Sequence, residues 1–301
     1  MHIPDNFLSP PVWVTLDAVA APALGLAVKR AAARGWDESR VPLLGVMGAF
    51  VFAAQMINFP VGMGTSAHLV GGALLACTLG PAPAILVMSV IIAIQAFVFQ
   101  DGGVLALGAN ILNMAVAGVL VGYGPFYLWG ATRRRAAIFT GAFFSVLVSG
   151  TLALGELLLS GVAMPRPLIV ISLAFFAANA AVEGVITVGV VQAIEKLKAG
   201  AVRQPENSGR RLLYVFGAFA IALAAVGFLL ASSAPDAIER LGPQIGLNIR
   251  NWLHAPLADY SAGSFISSAW LRRATAGLAG LLLIYSICAA GARWLLRRRS
   301  A

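Results

Sequence analysis

Residues 84–100 read AILVMSVIIAIQAFVFQ, an apolar run of 17 residues without a charged side chain. A helix that crosses a bilayer needs about 20 predominantly apolar residues, so this run predicts a membrane-spanning helix. Comparable runs lie near 12–28, 41–57, 106–130, 137–162, 168–194, 212–232 and 274–296. A shorter apolar segment, 66–79, is separated from the first run by a turn at 80–83. With this segment counted, we expect nine crossings and an all-α polytopic membrane protein.

The composition supports the same class. Hydrophobic residues make up 59% of the chain and charged residues 11%, and the mean hydropathy is +0.86, far from a soluble protein. The net charge of +9 comes from short basic clusters between apolar runs, as in cytoplasmic loops, and no aromatic-interleaved basic face indicates nucleic-acid binding. Cys77 and Cys288 lie in distant apolar stretches, which favours two buried thiols over a disulfide framework.

The distribution of basic residues predicts the topology. An extracytoplasmic N-terminus and a cytoplasmic C-terminus leave only five of the 21 Lys and Arg residues outside: Arg166, Arg240, Arg250, Arg272 and Arg273. This agrees with the positive-inside rule. The N-terminal peptide and the loop 58–68 are then expected on the same outer face. The first residues, with Asp5 and prolines but no basic residue, do not resemble a signal peptide, so we expect them to be retained.

The dipeptide Met1-His2 is a candidate metal chelate. The terminal amine, the backbone nitrogen of His2 and imidazole Nδ1 can close adjacent five- and six-membered rings, and three planar nitrogens suit Ni(II), Cu(II) or low-spin Co(II). His68 would be the fourth ligand, although a hydrogen-bonded structural histidine is the alternative. Prolines and glycines exclude a regular helix in the loop before it, and His68 is expected to open the short helix.

Three longer motifs carry a family resemblance: MHIPDNFLSP (1–10), FVFAAQMINFPVGMGTSAHLVGGALLACTLGP (50–81) and QAFVFQDGGVLALGANILNM (95–114). They closely resemble the CbiM/NikM family, the metal-specific membrane subunits of energy-coupling factor (ECF) transporters for cobalt and nickel. The resemblance covers most of 1–195. It implies a seven-helix substrate-binding bundle that captures the ion at the outer face through Met1, His2 and His68. Asn6 stands where the family usually has glycine.

The C-terminal part has a resemblance of its own. ASSAPDAIER (231–240) and HAPLADYSAGS (254–264), followed by an apolar helix, resemble the small CbiN-like or PDGLE domain that accompanies these transporters. Ala237-Ile238 replaces the usual Gly-Leu. We therefore expect a metal-binding membrane domain at 1–195, a polar cytoplasmic linker at 196–211, and a two-helix module with an extracytoplasmic loop at 212–301.

Polar residues in or beside the apolar runs are expected to face the bundle interior or water. Three loop residues, Asn58, Thr65 and Ser66, and three helix residues, Gln95, Asn110 and Asn113, are candidates for supporting the metal site. For the helix residues, helix–helix hydrogen bonds are an equal alternative. Glu156 and Glu183 are expected in structural pairings, with a proton or ion relay as the alternative.

No G-x-x-x-x-G-K-[ST] motif occurs, so ATP hydrolysis is expected in another protein. The resemblance implies an ATPase like CbiO/NikO and a transmembrane coupling subunit like CbiQ/NikQ, in a bacterial inner membrane. The predicted function is a non-enzymatic transporter subunit with transported Ni²⁺ or Co²⁺ and no permanent cofactor. Two alternatives are an ECF component for an organic vitamin and an intramembrane enzyme that uses Glu156 and Glu183, which no catalytic motif supports.

Overall fold

The computed structural model describes residues 1–33, 40–62, 65–197, 210–229, 231–232, 236–247, 252–263 and 266–300. Its helices are α1 (Pro10–Ala33), α2 (Val41–Gln55), α3 (Gly72–Leu79), α4 (Pro81–Ile94), α5 (Leu107–Asn110), α6 (Gly118–Trp129), α7 (Arg134–Leu159), α8 (Arg166–Leu197), α9 (Arg210–Val226), α10 (Ala237–Gln244) and α11 (Ala269–Ser300). Two π-helical segments, Gln95–Phe99 and Ile111–Ala117, continue α4 and join α5 to α6. Two 3₁₀ turns span Gly227–Leu229 and Ala258–Tyr260.

The chain is an all-α polytopic membrane protein. Within the described ranges, six helices are long and apolar enough to cross a membrane: Pro10–Ala33, Pro81–Phe99, Leu107–Trp129, Arg134–Leu159, Arg166–Leu197 and Ala269–Arg297. Two shorter apolar helices are Val41–Gln55 and Leu213–Val226. The predicted count of nine crossings is not confirmed, because α3 has eight residues and a length of about 12 Å.

The loop before α3 differs from the prediction. Strand β1 (Phe59–Gly62) pairs antiparallel with strand β2 (Thr65–Ala67), so the segment is a short hairpin. Helix α3 begins at Gly72, and the expectation that His68 opens it is wrong. The extended chain turns into the helix at Gly71, whose φ of +81° favours glycine.

The turn between α3 and α4 is also shorter than the predicted one at 80–83. It consists of Gly80, with a φ of +83°, and α4 begins at Pro81. Proline is well placed there because the first helical residue needs no N–H donor for the helix.

Helix α3 lies in the centre of the bundle, and all of its eight residues are buried. It contacts α2, α4, α6, α7 and α8. Small residues permit this packing, since a Cβ on Gly122 of α6 would lie 2.8 Å from the Cβ of Ala73. Helices α7 and α8 are antiparallel, with Arg134 at the start of one paired with Glu195 near the end of the other. The hairpin that leads to His68 contacts this bundle at α8.

The C-terminal helices α9 and α11 pack on α2. Glycine again permits the close approach, because a Cβ on Gly45 of α2 would lie 2.5 Å from the ring of Tyr285. Most of the predicted linker 196–211 lies outside the described residues, which resume at Arg210. The segment between α9 and α11 contains α10 and lies against the hairpin and the N-terminal peptide.

Candidate metal centre

The N-terminal peptide is largely buried and is hydrogen-bonded to the core. The N–H of Ile3 donates to Asn110 Oδ1 at 2.8 Å, and Asn110 Nδ2 donates back to the Ile3 carbonyl at 3.1 Å. The same carbonyl accepts a hydrogen bond from the N–H of Gly103 at 2.8 Å. Asn110, predicted as a supporting residue, therefore fixes the backbone that follows His2.

Gly102 and Gly103, in the third of the quoted motifs, make room for this peptide. A Cβ on Gly103 would lie 2.5 Å from the backbone nitrogen of Asp5, and Gly102 has a φ of +94°. Asn6, which stands where the resembling family usually has glycine, has a φ of +71°. Asparagine tolerates this left-handed conformation better than most residues do, so the turn is retained.

His68 presents one ring nitrogen to the terminal amine. Its Nδ1 lies 2.9 Å from the carbonyl of Leu69 and can only donate there. The Nε2 lone pair therefore points at the amine of Met1, 2.8 Å away. Burial, followed by the nearby terminal ammonium, lowers the pKa of His68 to about 4. The ring is thus neutral near pH 7, with the hydrogen bond to a backbone carbonyl that metal-binding histidines commonly make.

His2 is buried, with 2% of its surface exposed. Its ring stacks on that of His68, with centroids 5.6 Å apart and an angle of 10° between the planes. Its Nδ1 pairs with Asp101 Oδ1 at 3.0 Å, whereas its Nε2 has no hydrogen-bond partner among the described residues. Buried polar atoms of this kind are rare and call for an explanation such as an ion.

Two carboxylates that the sequence analysis missed complete the surroundings of the amine and His2. Asp236 Oδ2 lies 2.7 Å from the amine of Met1, and Asp101 Oδ2 accepts a hydrogen bond from Tyr260. Burial would raise the pKa of both carboxyls. The terminal ammonium outweighs burial at Asp236, and the contact with His2 outweighs it at Asp101, so both pKa values are lowered.

A polar cavity of about 430 Å³ opens beside these groups. Its lining includes His68, Asp101, Asp236, Glu239, Asp259 and Tyr260. Arg273 lines it as well. The carboxylates of Asp101 and Asp236, which lie against His2 and the amine, favour a cation over an anion there.

The predicted loop residues all lie at this site. Thr65 Oγ1 accepts a hydrogen bond from Arg240 at 2.9 Å, and Ser66 forms a β-bridge with Asp236. The Asn58 carbonyl accepts a hydrogen bond of 2.7 Å from Ser232. All three connect the hairpin to the C-terminal segment.

Of the predicted helix residues, Gln95 is near the site and Asn113 is not. Gln95 Nε2 donates to Gln55 Oε1 at 3.0 Å and to the Tyr260 hydroxyl at 3.2 Å, which places it one hydrogen bond from the Tyr260–Asp101 pair. Asn113 donates instead to Glu156 Oε2 at 2.8 Å.

Glu156 and Glu183 are not brought together. Glu183 accepts hydrogen bonds of 2.7 Å from the N–H groups of Val70 and Gly71. Glu156 lies three residues before the end of α7 and Glu183 lies 17 residues after the start of the antiparallel α8. At 1.5 Å per residue their depths in the bundle differ by about 20 Å. An acid–base pair of these two side chains has no geometric support.

Among the described residues, no group of three or more His, Cys, Asp and Glu side chains is placed to hold a metal ion. Two imidazoles alone do not fill a square plane. A four-nitrogen site here has to include the terminal amine and a main-chain nitrogen, which are not side-chain ligands.

The chain is similar to known metal transport proteins. The model of the CbiM family, described as the cobalt uptake substrate-specific transmembrane region, matches residues 2–201. A metal transport protein of Haloquadratum walsbyi is 42% identical over 211 residues, which cover 69% of this chain and 96% of the relative. A crystal structure of a truncated transition metal transporter has 32% identity and a TM-score of 0.58, and covers 65% of this chain and 99% of its own.

A second relative extends the likeness into the C-terminal part. The fused nickel transport protein NikMN of Archaeoglobus fulgidus is 34% identical over 271 residues, which cover 87% of this chain and 88% of the relative. This alignment is longer than the family match, in agreement with the predicted fusion. The chain belongs to the CbiM/NikM family of membrane proteins, in the fused form that also contains the C-terminal segment.

Proposed function

We propose that this protein is the substrate-binding component of an ATP-driven ECF-type importer of Ni²⁺ or Co²⁺. The ion is captured at the outer face by the amine of Met1, the backbone and Nδ1 nitrogens of His2, and Nε2 of His68. The observation that carries the proposal is the stacking of the buried His2 imidazole on a second imidazole whose Nε2 faces the amine 2.8 Å away.

The amine and His68 Nε2 have the separation of neighbouring ligands. Two nitrogens that each bind one ion at about 2.0 Å in adjacent corners of a square plane lie about 2.8 Å apart. The amine nitrogen and Nε2 are 2.8 Å apart. The backbone and Nδ1 nitrogens of His2 would occupy the other two corners through the five- and six-membered rings.

Both cations fit this ligand set. A plane of four nitrogens suits Ni(II) and low-spin Co(II). A relative aligned over 87% of the chain is named as a fused nickel transport protein, whereas the family model is named for cobalt uptake. The fused C-terminal segment and the nitrogen-only plane favour nickel.

Partners supply the energy in this proposal. A coupling subunit like CbiQ/NikQ and an ATPase like CbiO/NikO would move the component between outward and inward states. The N-terminus and the metal site face outwards from the cell (inner) membrane, and the C-terminus is cytoplasmic. Residues 1–195 form the metal-binding part, 196–211 the linker and 212–301 the fused module.

Histidine variants test the site. The purified protein should bind Ni²⁺ tightly by calorimetry, and His68→Ala should lower the affinity at least a hundredfold because one of four ligands is lost. His254→Ala is the matched control, since His254 is exposed and outside the site. Wild-type affinity in His68→Ala, or an equal loss in both variants, would contradict the assignment.

Uptake experiments test the partners. Cells that lack every candidate ATPase and coupling subunit should accumulate Ni²⁺ no faster with this protein than without it, although the purified protein binds the ion. Undiminished uptake after ATP depletion would show that the protein transports without an ATPase.

A further inference from the structure

The N-terminal amine is held by a residue from the opposite end of the sequence. We infer that Asp236, in the fused C-terminal segment, is a positioning residue that orients the Met1 amine toward the metal. This inference rests on the proposed function. It assigns the fused segment a direct part in the metal site, through one carboxylate oxygen 2.7 Å from the amine.

The two carboxylate oxygens of Asp236 accept hydrogen bonds from different groups. Oδ1 accepts hydrogen bonds from the N–H groups of Ile238, at 2.7 Å, and Glu239, at 2.9 Å, and so caps the N-terminus of α10. Glu239 closes the capping box by accepting the N–H of Asp236. This double attachment fixes the carboxylate orientation, so Oδ2 is left in a defined position for the amine.

The helix that Asp236 caps is also attached to the strand that leads to His68. Ser66 of β2 forms a parallel β-bridge with Asp236, and Arg240 of α10 donates a hydrogen bond to Thr65. One short segment thereby holds both the amine and the His68 strand. We attribute the 2.8 Å separation of the amine from His68 Nε2 to this common support.

The contact is compatible with a bound ion. An amine that binds a metal through its lone pair keeps two N–H bonds, and Asp236 Oδ2 can accept one of them. A carboxylate beside a ligand orients that ligand and increases its basicity, and loss of such a group commonly lowers metal affinity about 10–100-fold. The Asp236 side chain is only 13% exposed. Water therefore competes poorly for its hydrogen bond to the amine.

Two variants of Asp236 separate positioning from folding. Asn and Ser both remain good N-cap residues, so Asp236→Asn and Asp236→Ser should keep α10 while losing the carboxylate oxygen that accepts from the amine. Asp259→Asn is the matched control, because Asp259 is an exposed carboxylate that lines the same cavity. The probe is Ni²⁺ alone, added to the full-length purified protein.

We expect both Asp236 variants to bind Ni²⁺ about 10–100-fold more weakly, with the ligand-field band of the saturated complex unchanged, and Asp259→Asn to bind as the wild type does. Wild-type affinity in Asp236→Asn and Asp236→Ser would overturn the inference. An equal loss of affinity in Asp259→Asn would show that general charge attraction, and not positioning, explains the effect. A shifted ligand-field band in the Asp236 variants would indicate that Asp236 is itself a ligand. If the wild type itself fails to bind Ni²⁺, the proposed function fails instead.

Discussion

The N–H of Gly71 donates a hydrogen bond of 2.7 Å to Glu183 Oε1, so a carboxylate from the middle of α8 takes the place of a cap for α3. Gly71 has no side chain to serve as a cap. The other oxygen of Glu183 accepts the N–H of Val70, also at 2.7 Å. Together these bonds fix the backbone immediately after His68.

Replacement of Glu183 should therefore weaken metal binding without removing a ligand. Glu183→Gln turns one of two acceptors into a donor that faces an N–H group, and a lost hydrogen bond to a charged group costs about 1.5–3 kcal/mol. We expect at least a tenfold loss of Ni²⁺ affinity by calorimetry. Glu156→Gln is the control, because Glu156 bonds to Asn113 at a different depth. Equal losses in both variants would argue against this role.

An extension before Met1 should disable the site. Even one added residue, or an acetyl group, converts the amine to an amide and removes the five-membered chelate ring. It also introduces atoms where Met1 is 5% exposed and touches Asp236 and His68. Calorimetry and the ligand-field band of the Ni²⁺ complex are the measurements, and a tag after Ala301 is the control. Unchanged affinity and spectrum in the extended protein would exclude the Met1-His2 chelate.

A methyl group at Gly103 should displace the N-terminal peptide. In Gly103→Ala the new Cβ would lie 2.5 Å from Asp5 N, a backbone atom that cannot move aside cheaply. The expected result is at least a tenfold loss of Ni²⁺ affinity, together with faster proteolysis of the N-terminus. Gly155→Ala should have neither effect, since a Cβ there meets nothing within 4 Å. If the two variants behave alike, the peptide is not held by this close approach.

Metal binding should release protons and weaken as the pH falls. Burial lowers the pKa of His68 to about 4, so this ring is already neutral from about pH 6 to 8 and contributes no proton there. The His2 amide has to lose one proton to become a ligand, so each bound ion releases at least one proton. Calorimetry in buffers of different ionisation enthalpy counts these protons. A release near zero would exclude the amide as a ligand.

The membrane helices were predictable because hydropathy is a local property. The run at 84–100 corresponds to the helix Pro81–Phe99, and the run at 168–194 to Arg166–Leu197. The start of α3 was not predictable in this way. The group that caps it belongs to Glu183, 112 residues away from Gly71 in the chain. No sequence pattern near His68 indicates that contact.

Met1, His2 and His68 were named as candidate ligands from chelate chemistry and family resemblance, and the structure brings them together. Of the residues that hold them, Asn110 was predicted and Asp236 was not. Asp236 and Glu239 have the spacing of a capping box, which a sequence can reveal. That spacing predicts the partners of one carboxylate oxygen of Asp236. It does not predict the partner of the other oxygen, which is the Met1 amine 235 residues earlier in the chain.

The number of residues in the π-helical segment Gln95–Phe99 helps to determine the geometry of the proposed metal site. The Gln95 carbonyl accepts hydrogen bonds from the N–H groups of both Gln100 and Asp101, so the number of residues between them sets where the Asp101 carboxylate stands. A one-residue insertion or deletion here would leave the hydropathy profile almost unchanged. It would nevertheless change the position of the Asp101 carboxylate beside His2. Insertions and deletions in this turn are therefore expected to leave membrane insertion intact and to disturb the proposed metal site.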